Sequence, residues 1–344
     1  MSTFNTRCDR FETLKKVRGR KPLFFDMSIW IELERGYSDA AKHTLSLLRQ
    51  GVAQRRLFCP FQYTTIWELY KQDQASRERL AALIEELSLN VAFAICDDVF
   101  RWECEDLVSG LLNEQPTKIS DLLFVPPAYY LSDSEQWTFS ENGLPEDEQA
   151  EMVRRVQQGK EGLTLTELVK LVGPSIQNAP HPNIPYQTMA QEARAASGDK
   201  AKRHRRSAAD CVNRVVVSFF YKLPEPRKTR ACRALEAKVA GADGSRMGFV
   251  LELLPAIRNH AEVLAGRIDD TGRKDDPNDF YDLNSLPVPL AYAHAIVFRD
   301  KMIRNLVRKR SDLLTQNPRC SFFDDLPGFA TYLEQQKNEE NVGV

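Results

Sequence analysis

Short apolar runs alternate with helical stripes along the first hundred residues. Pro22–Asp26 is apolar and aromatic and predicts a buried strand that ends at Asp26. A helical pattern follows to Leu48, with a turn at Gly36. The runs Leu57–Pro60 and Val91–Ile95 predict two more strands, with helices between them. This alternation predicts a parallel sheet covered by helices.

The middle of the chain has a different pattern, with helical stripes and few strand signals between about residues 100 and 268. Apolar spacing predicts helices over Leu163–Leu171, Ala208–Tyr221 and Phe249–Leu264. Val125–Tyr130 is predicted to be a loop, and Ala179–Pro185, with three prolines, an extended connector.

Strand and helix signals alternate again near the C-terminus. Ala295–Phe298 and Cys320–Phe323 predict two strands, and a helix beginning near Asp275 should end or break at Pro287. We therefore expect an α/β domain with a four- to five-stranded parallel sheet, formed by residues 1–99 and 275–344. A long, mostly helical insertion, residues 100–274, interrupts it.

Composition narrows the class of protein. The chain has 344 residues, 42% of them hydrophobic, and a net charge of −1, which favours a globular protein and excludes collagen-like and globally disordered classes. No apolar run approaches the roughly 18 residues of a membrane span. The seven cysteines include no CxxC pair, and the first twenty residues lack the apolar core of a secretory signal. We expect reduced thiols and a cytoplasmic location without membrane contact.

The near-neutral net charge conceals a basic stretch at residues 194–233, with twelve Lys or Arg and three Asp or Glu. A run of this kind is a candidate contact for nucleic-acid phosphates, and the alternative is a solvated helix face. Its tightest cluster consists of Lys200, Lys202, Arg203, Arg205 and Arg206.

Acidic residues follow the predicted strands. Asp26 and Asp300 each come at or just past a strand's C-terminal end, where open parallel sheets place their ligand sites. Glu68 follows the second strand, and Asp279 and Asp282 share a helix face. Converging carboxylates repel each other, and oxygen-only ligation favours Mg²⁺ or Mn²⁺. Each acid also has an ordinary alternative, as a helix cap or a surface residue.

The order of these acids resembles the PIN-domain nucleases. Leu23-Phe-Phe-Asp26-Met-Ser28 is similar to that family's opening strand, and Phe61–Leu69 to the helix that carries its Glu. The segment 278–301 resembles the closing block, with a helix-borne Asp before a strand and a second Asp after it. His294 stands where related sequences often have an acid, and it is a candidate proton carrier or phosphate contact.

The resemblance implies a Mg²⁺- or Mn²⁺-dependent phosphodiesterase that acts on RNA in preference to DNA. Its implied ligands are Asp26, Glu68, Asp282 and Asp300, with Asp279 in reserve and Ser28 orienting Asp26. By analogy, the enzyme could be a toxin or defence effector with a regulatory protein partner or a second copy of itself. Two alternatives remain open: a non-catalytic nucleic-acid-binding or scaffold protein with a degenerate acidic site, and another metal-dependent phosphohydrolase.

Overall fold

The computed structural model describes most of the chain in seven segments. The described residues are 6–131, 163–170, 186–196, 198–240, 254–269, 284–309 and 320–342.

Four parallel strands form the central sheet, in the order β2-β1-β5-β6, and β3 and β4 form an antiparallel pair. The strands are β1 (Lys21–Phe25), β2 (Leu57–Phe58), β3 (Ala92–Phe93), β4 (Phe124–Val125), β5 (Ala295–Val297) and β6 (Ser321–Phe323). A parallel bridge between Phe61 and Ala92 places β3 beside the chain that follows β2. The predicted α/β class with a four-stranded parallel sheet is confirmed.

Strand β1 lies inside the sheet, between β2 and β5, and both of its faces are covered. Leu23, Phe24 and Phe25 are all buried, which explains their continuous apolar run. In register, Phe25 pairs with Val297 of β5, and Pro22 pairs with Phe58 of β2. The carboxyl ends of β1 and β5 are therefore neighbours.

Helices connect and cover these strands. Those of the first part are α1 (Thr6–Val17), α2 (Met27–Arg35), α3 (Asp39–Ala53), α4 (Tyr63–Tyr70), α5 (Gln74–Ser88) and α6 (Cys96–Leu112). Those of the later part are α7 (Tyr186–Ala196), α8 (Lys200–Lys222), α9 (Arg227–Ala240), α10 (Pro255–Asp269), α11 (Pro287–Tyr292), α12 (Lys301–Lys309) and α13 (Leu326–Val342). Residues 165–170 are also helical.

Three local expectations need comment. The predicted loop at Val125–Tyr130 was wrong, because Phe124–Val125 is a strand paired with β3 and a short 3₁₀ helix, Pro127–Leu131, follows it. Phe124 packs edge-on against Phe58, so tertiary packing outweighs the two prolines. At Pro287 a new short helix begins with proline at its start. The connector at residues 179–185 lies outside the described residues.

The predicted insertion shares its core with the sheet. One cluster of buried apolar side chains contains Phe25 and Ile296 of the sheet together with Leu165, Val212 and Ile257 of the helical part. The helices between residues 163 and 269 therefore pack onto the α/β part and bury apolar surface against it.

A buried carboxylate fastens α6 to the start of α10. Glu103, with no exposed surface, accepts backbone N–H bonds from Ala256 (2.8 Å) and Ile257 (3.1 Å) and a hydroxyl bond from Tyr292 (2.7 Å). These contacts satisfy N–H groups that have no partner within α10 itself. Burial chiefly raises the pKa of Glu103, to about 7.

Candidate active site

Asp26 lies at the junction of β1 and α2. Its backbone N–H donates to the Val297 carbonyl at 3.0 Å, which continues the β1–β5 ladder one residue past the strand. Its own carbonyl accepts from Ile29 and Trp30, so the chain turns directly into α2. This turn holds the Asp26 side chain at the carboxyl edge of the sheet.

The Asp26 carboxylate is oriented by its neighbours. Ser28 Oγ donates a hydrogen bond of 2.6 Å to Asp26 Oδ2. Although Asp26 occupies the N-cap position of α2, its side chain makes no capping bond of the usual kind. The capping alternative raised by the sequence therefore does not account for this side chain.

An open cleft of about 280 Å³ lies in front of Asp26. Its polar lining residues are Asp26, Ser28, Thr64, Thr65, Glu68, Gln72 and Ser285. Glu68 reaches the cleft from α4, and Thr64 and Thr65 lie one turn earlier on the same helix. The two threonines and Ser285 were not predicted, although the i, i+3 and i, i+4 spacing to Glu68 could have identified the threonines.

The two carboxylates of the cleft interact electrostatically. Burial is the largest cause that raises the pKa of Asp26, and the negative charge of Glu68 raises it further. Hydrogen bonds from Ser28 and from the Met27 and Ser28 backbone act in the opposite direction. On balance the pKa of Asp26 is raised, and a cation in the cleft would act in the opposite direction by stabilising the charged form.

Basic side chains already lie near the cleft. Lys71, one turn after Glu68, forms an ion pair with Glu68 Oε1. On α2, Glu32 pairs with Arg299 at 2.5 Å, and Arg299 follows β5. The carboxyl edge is thus partly neutralised by the chain's own cations.

Asp300 acts as a helix cap. Its Oδ1 accepts from the Ile303 backbone N–H at 3.0 Å, and its carbonyl accepts from Arg304, which begins α12. Asp300 is not among the described residues that line the cleft. The structure therefore brings Asp26 and Glu68 together and gives Asp300 the capping role that the sequence left open. Asp279 and Asp282 lie outside the described residues.

His294 lies at the opposite edge of the sheet. It precedes β5, its backbone N–H donates to the Pro22 carbonyl, and its ring lies near Tyr332. Since β1 and β5 are parallel, this is the amino edge, whereas Asp26 marks the carboxyl edge. His294 was a candidate proton carrier or phosphate contact for the acidic site, and its position places it at the other edge of the sheet from Asp26.

The basic cluster at residues 200–206 forms the first turns of α8. Lys202, Arg205 and Arg206 are exposed. Arg203 is largely buried and lies 3.9 Å from Asp269 of α10. Beside it, His204 bridges Glu262 (2.7 Å) and Asp269 (3.0 Å). Arg203 of this cluster, with the adjacent His204, therefore helps to pack α8 against α10.

The residues of the cleft fit a hard divalent cation in part. In the ranges that the structure describes, no group of three or more His, Cys, Asp or Glu side chains is arranged to hold a metal ion. Mg²⁺, however, is commonly held by one or two carboxylates together with waters and substrate phosphates. Asp26 and Glu68, with hydroxyl groups around them, provide such an oxygen-only set.

No described helix has both the length and the apolar character that a membrane crossing needs. Searches against protein-family models, curated proteins and solved structures each found no match to this chain.

Proposed function

We propose that this protein is a Mg²⁺- or Mn²⁺-dependent endonuclease that cleaves RNA in preference to DNA. The observation that carries the proposal is the Asp26 carboxylate, held by Ser28 at the carboxyl edge of β1 and electrostatically coupled to Glu68 across an open cleft. Ligand sites of open parallel sheets lie at this edge.

The resemblance to PIN-domain nucleases supports the same proposal. The strand order β2-β1-β5-β6 puts β1 and β5 side by side, so the positions of Asp26 and Asp300 in the chain fall at the same edge of the sheet. The Glu-bearing helix follows β2, as the resemblance implies. In that case Asp26 and Glu68 hold the ion, with Asp282 as a further ligand.

The roles of the chain's own groups follow from their positions. A bound divalent ion would supply an activated water and neutralise charge on the phosphate. Asp26 would bind the ion with the oxygen that Ser28 leaves available, and Ser28 would fix the carboxylate's orientation. Lys71 would pair with a phosphate oxygen when Glu68 turns to the ion. Thr64 and Thr65 would offer hydroxyl groups along the cleft.

A second candidate function is non-catalytic nucleic-acid binding or scaffolding with a degenerate acidic site. It is favoured by the cations that already neutralise the edge, Lys71 on Glu68 and Arg299 on Glu32, and by the capping role of Asp300. For the endonuclease, a cytoplasmic role as a toxin or defence effector, with a regulatory protein or a second copy as partner, is part of the proposal.

The test is cleavage of labelled single-stranded RNA and DNA with Mg²⁺, with Mn²⁺ and with EDTA. We expect metal-dependent cleavage of RNA that Asp26→Asn and Glu68→Gln each reduce by at least about 100-fold, while the control Asp39→Asn, at an exposed first-turn acid of α3, retains it. Binding without cleavage by the wild-type protein under all metal conditions would favour the second candidate.

A further inference from the structure

Basic residues also gather at the amino edge of the sheet, opposite the cleft. Residues 13–25 contain five Lys or Arg and no Asp or Glu, and residues 46–58 contain three and none. We use "amino-edge patch" for Lys16, Arg18, Arg20, Lys21, Arg55 and Arg56.

Strand pairing brings the two segments of the patch together. The Lys21 N–H donates to the Arg56 carbonyl at 2.8 Å, and Lys21 pairs in register with Leu57. Lys21, the first residue of β1, and Arg56, which precedes β2, line one small pocket together with His294, which precedes β5. The amino edge of the sheet therefore carries cationic side chains at the two neighbouring strands β1 and β2.

Hydrogen bonds anchor two side chains of the patch to neighbouring elements. Arg20 donates to the Val52 carbonyl at 2.8 Å, and Lys21 donates to the Gln336 amide oxygen at 2.7 Å. The pKa of Arg20 is lowered, first by burial and then by the charge of Arg55. Two guanidinium groups that repel each other in this way gain from an anion that contacts both.

We propose that the amino-edge patch is a docking surface for the phosphate backbone of nucleic acid. Guanidinium groups match the geometry of phosphate oxygens, and the patch presents several of them on a rigid sheet edge. The large apolar side chains that are exposed in the described ranges, Tyr37, Val217 and Tyr221, all lie outside it. The patch thus lacks the apolar anchors that a lipid surface would engage.

The choice of nucleic acid as the ligand rests on the proposed function. The position of the patch adds a second contact for the substrate strand, away from the cleft. Strand β1 has five residues, so the two edges lie roughly 17 Å apart at about 3.3 Å per residue. A substrate strand that reaches both edges would be gripped at a point remote from the cleft. Binding at the patch would then be independent of sequence and sensitive to salt.

The test is binding of labelled single-stranded RNA at several salt concentrations, in EDTA and in the Asp26→Asn background, so that it does not depend on catalysis. The variant Lys16→Gln/Arg18→Gln/Arg55→Gln changes three exposed side chains. We expect at least about tenfold weaker binding at 0.1 M salt and a salt slope smaller by about two, at about 0.7 per phosphate contact.

The matched control is Arg35→Gln/Lys42→Gln/Lys118→Gln, which removes three exposed charges elsewhere and should leave affinity and slope unchanged. Lysine labelling of the wild-type protein gives a second measurement that needs no variant, since RNA should protect Lys16, an exposed lysine of the patch. Equal binding by the two variants, or no protection, overturns the proposal. The proposal is also overturned if the patch variant loses binding only to anionic phosphatidylglycerol vesicles or to polyglutamate and binds RNA as well as the wild-type protein does. A failed nuclease assay does not affect it.

Discussion

At the residue scale, Ser28 controls the carboxylate on which the account depends. Its hydroxyl donates to Asp26 Oδ2 at 2.6 Å, and this bond lowers the pKa that burial and Glu68 raise. The resemblance to the PIN-domain nucleases implied this pair, because that family carries a small hydroxyl residue two positions after its first Asp. The sequence could not show that Asp300 caps α12, because the choice between capping and facing the cleft depends on the turn after β5.

Removal of the Ser28 hydroxyl should weaken metal binding while the fold is kept. Ser28 is exposed, so Ser28→Ala should leave the melting temperature of the metal-free protein nearly unchanged. Loss of an orienting hydrogen bond typically costs about 10- to 100-fold in metal affinity, and we expect about tenfold for Mn²⁺ by calorimetry. Ser28→Thr keeps the hydroxyl and serves as the control. Wild-type affinity in Ser28→Ala would mean that the bond does not orient a ligand.

The raised pKa of Asp26 makes a second prediction. The folded state binds this proton more tightly than the unfolded state, so the stability it provides is present at low pH and is lost as pH rises through the raised pKa. In the absence of metal, Asp26→Asn should therefore be more stable than wild type at pH 7, and Mn²⁺ should no longer raise its melting temperature. Thermal unfolding of both proteins with and without Mn²⁺ measures this. A full Mn²⁺ response in Asp26→Asn would exclude Asp26 as a ligand.

At the element scale, helices and strands were largely predictable where their apolar period was strong. Strands β1, β5 and β6 were predicted correctly from the sequence because each is a short apolar run. The two-residue strand β4 was missed, because so short an edge strand has no periodicity and depends on packing against Phe58 and Phe93. The Glu103 contact with α10 was also missed, since it joins residues more than 150 positions apart.

Glu103 should be critical for the attachment of α10. Glu103→Ala leaves two backbone N–H groups and the Tyr292 hydroxyl without their acceptor, which should cost about 3 kcal/mol or more in urea unfolding. Tyr292→Phe removes one of the three bonds and should cost about 1 kcal/mol. Asp97→Asn, an exposed acid in the first turn of the same helix, is the control. Equal stabilities for Glu103→Ala and the control would refute the role.

The raised pKa of Glu103 should also appear in the pH dependence of the free energy of unfolding. Because the pKa of Glu103 is about 7 in the folded protein and 4.5 ordinarily, stability from this group is full below about pH 4.5 and is lost as pH rises to about 7. Glu103→Gln keeps the bonds to Ala256 and Tyr292 and cannot ionise. Its free energy of unfolding should therefore change less than that of wild type between pH 4.5 and 7. Parallel curves for the two proteins would contradict the raised pKa.

At the scale of the whole molecule, the basic stretch divides into two roles. Arg203 and His204 contact acids of α10, whereas Lys202, Arg205 and Arg206 are exposed. The sequence identified the charge of this stretch correctly but could not separate the two roles, because the acids at positions 262 and 269 are distant in the chain. The same limit concealed the amino-edge patch, whose halves meet only through β1–β2 pairing.

Substitutions in this stretch should separate stability from binding. Lys202→Ala/Arg205→Ala/Arg206→Ala should leave the melting temperature nearly unchanged and reduce the salt slope of RNA binding by up to about three phosphate contacts' worth. His204→Ala leaves Glu262 and Asp269 without their shared partner and should lower the free energy of unfolding by about 1–3 kcal/mol. The measurements are RNA binding at several salt concentrations and urea unfolding. If the triple variant keeps its full slope, the exposed side chains form a solvated surface.

The central claim is that Asp26 and Glu68 hold a divalent ion, and a crystal soaked in Mn²⁺ tests it most directly through the metal's anomalous scattering. We expect one peak in the cleft with carboxylate oxygens of both residues about 2.0–2.6 Å from it, and no peak there in Asp26→Asn. A cleft without a peak at saturating Mn²⁺, with Glu68 still paired to Lys71, would contradict the account and leave the acidic edge as a structural feature.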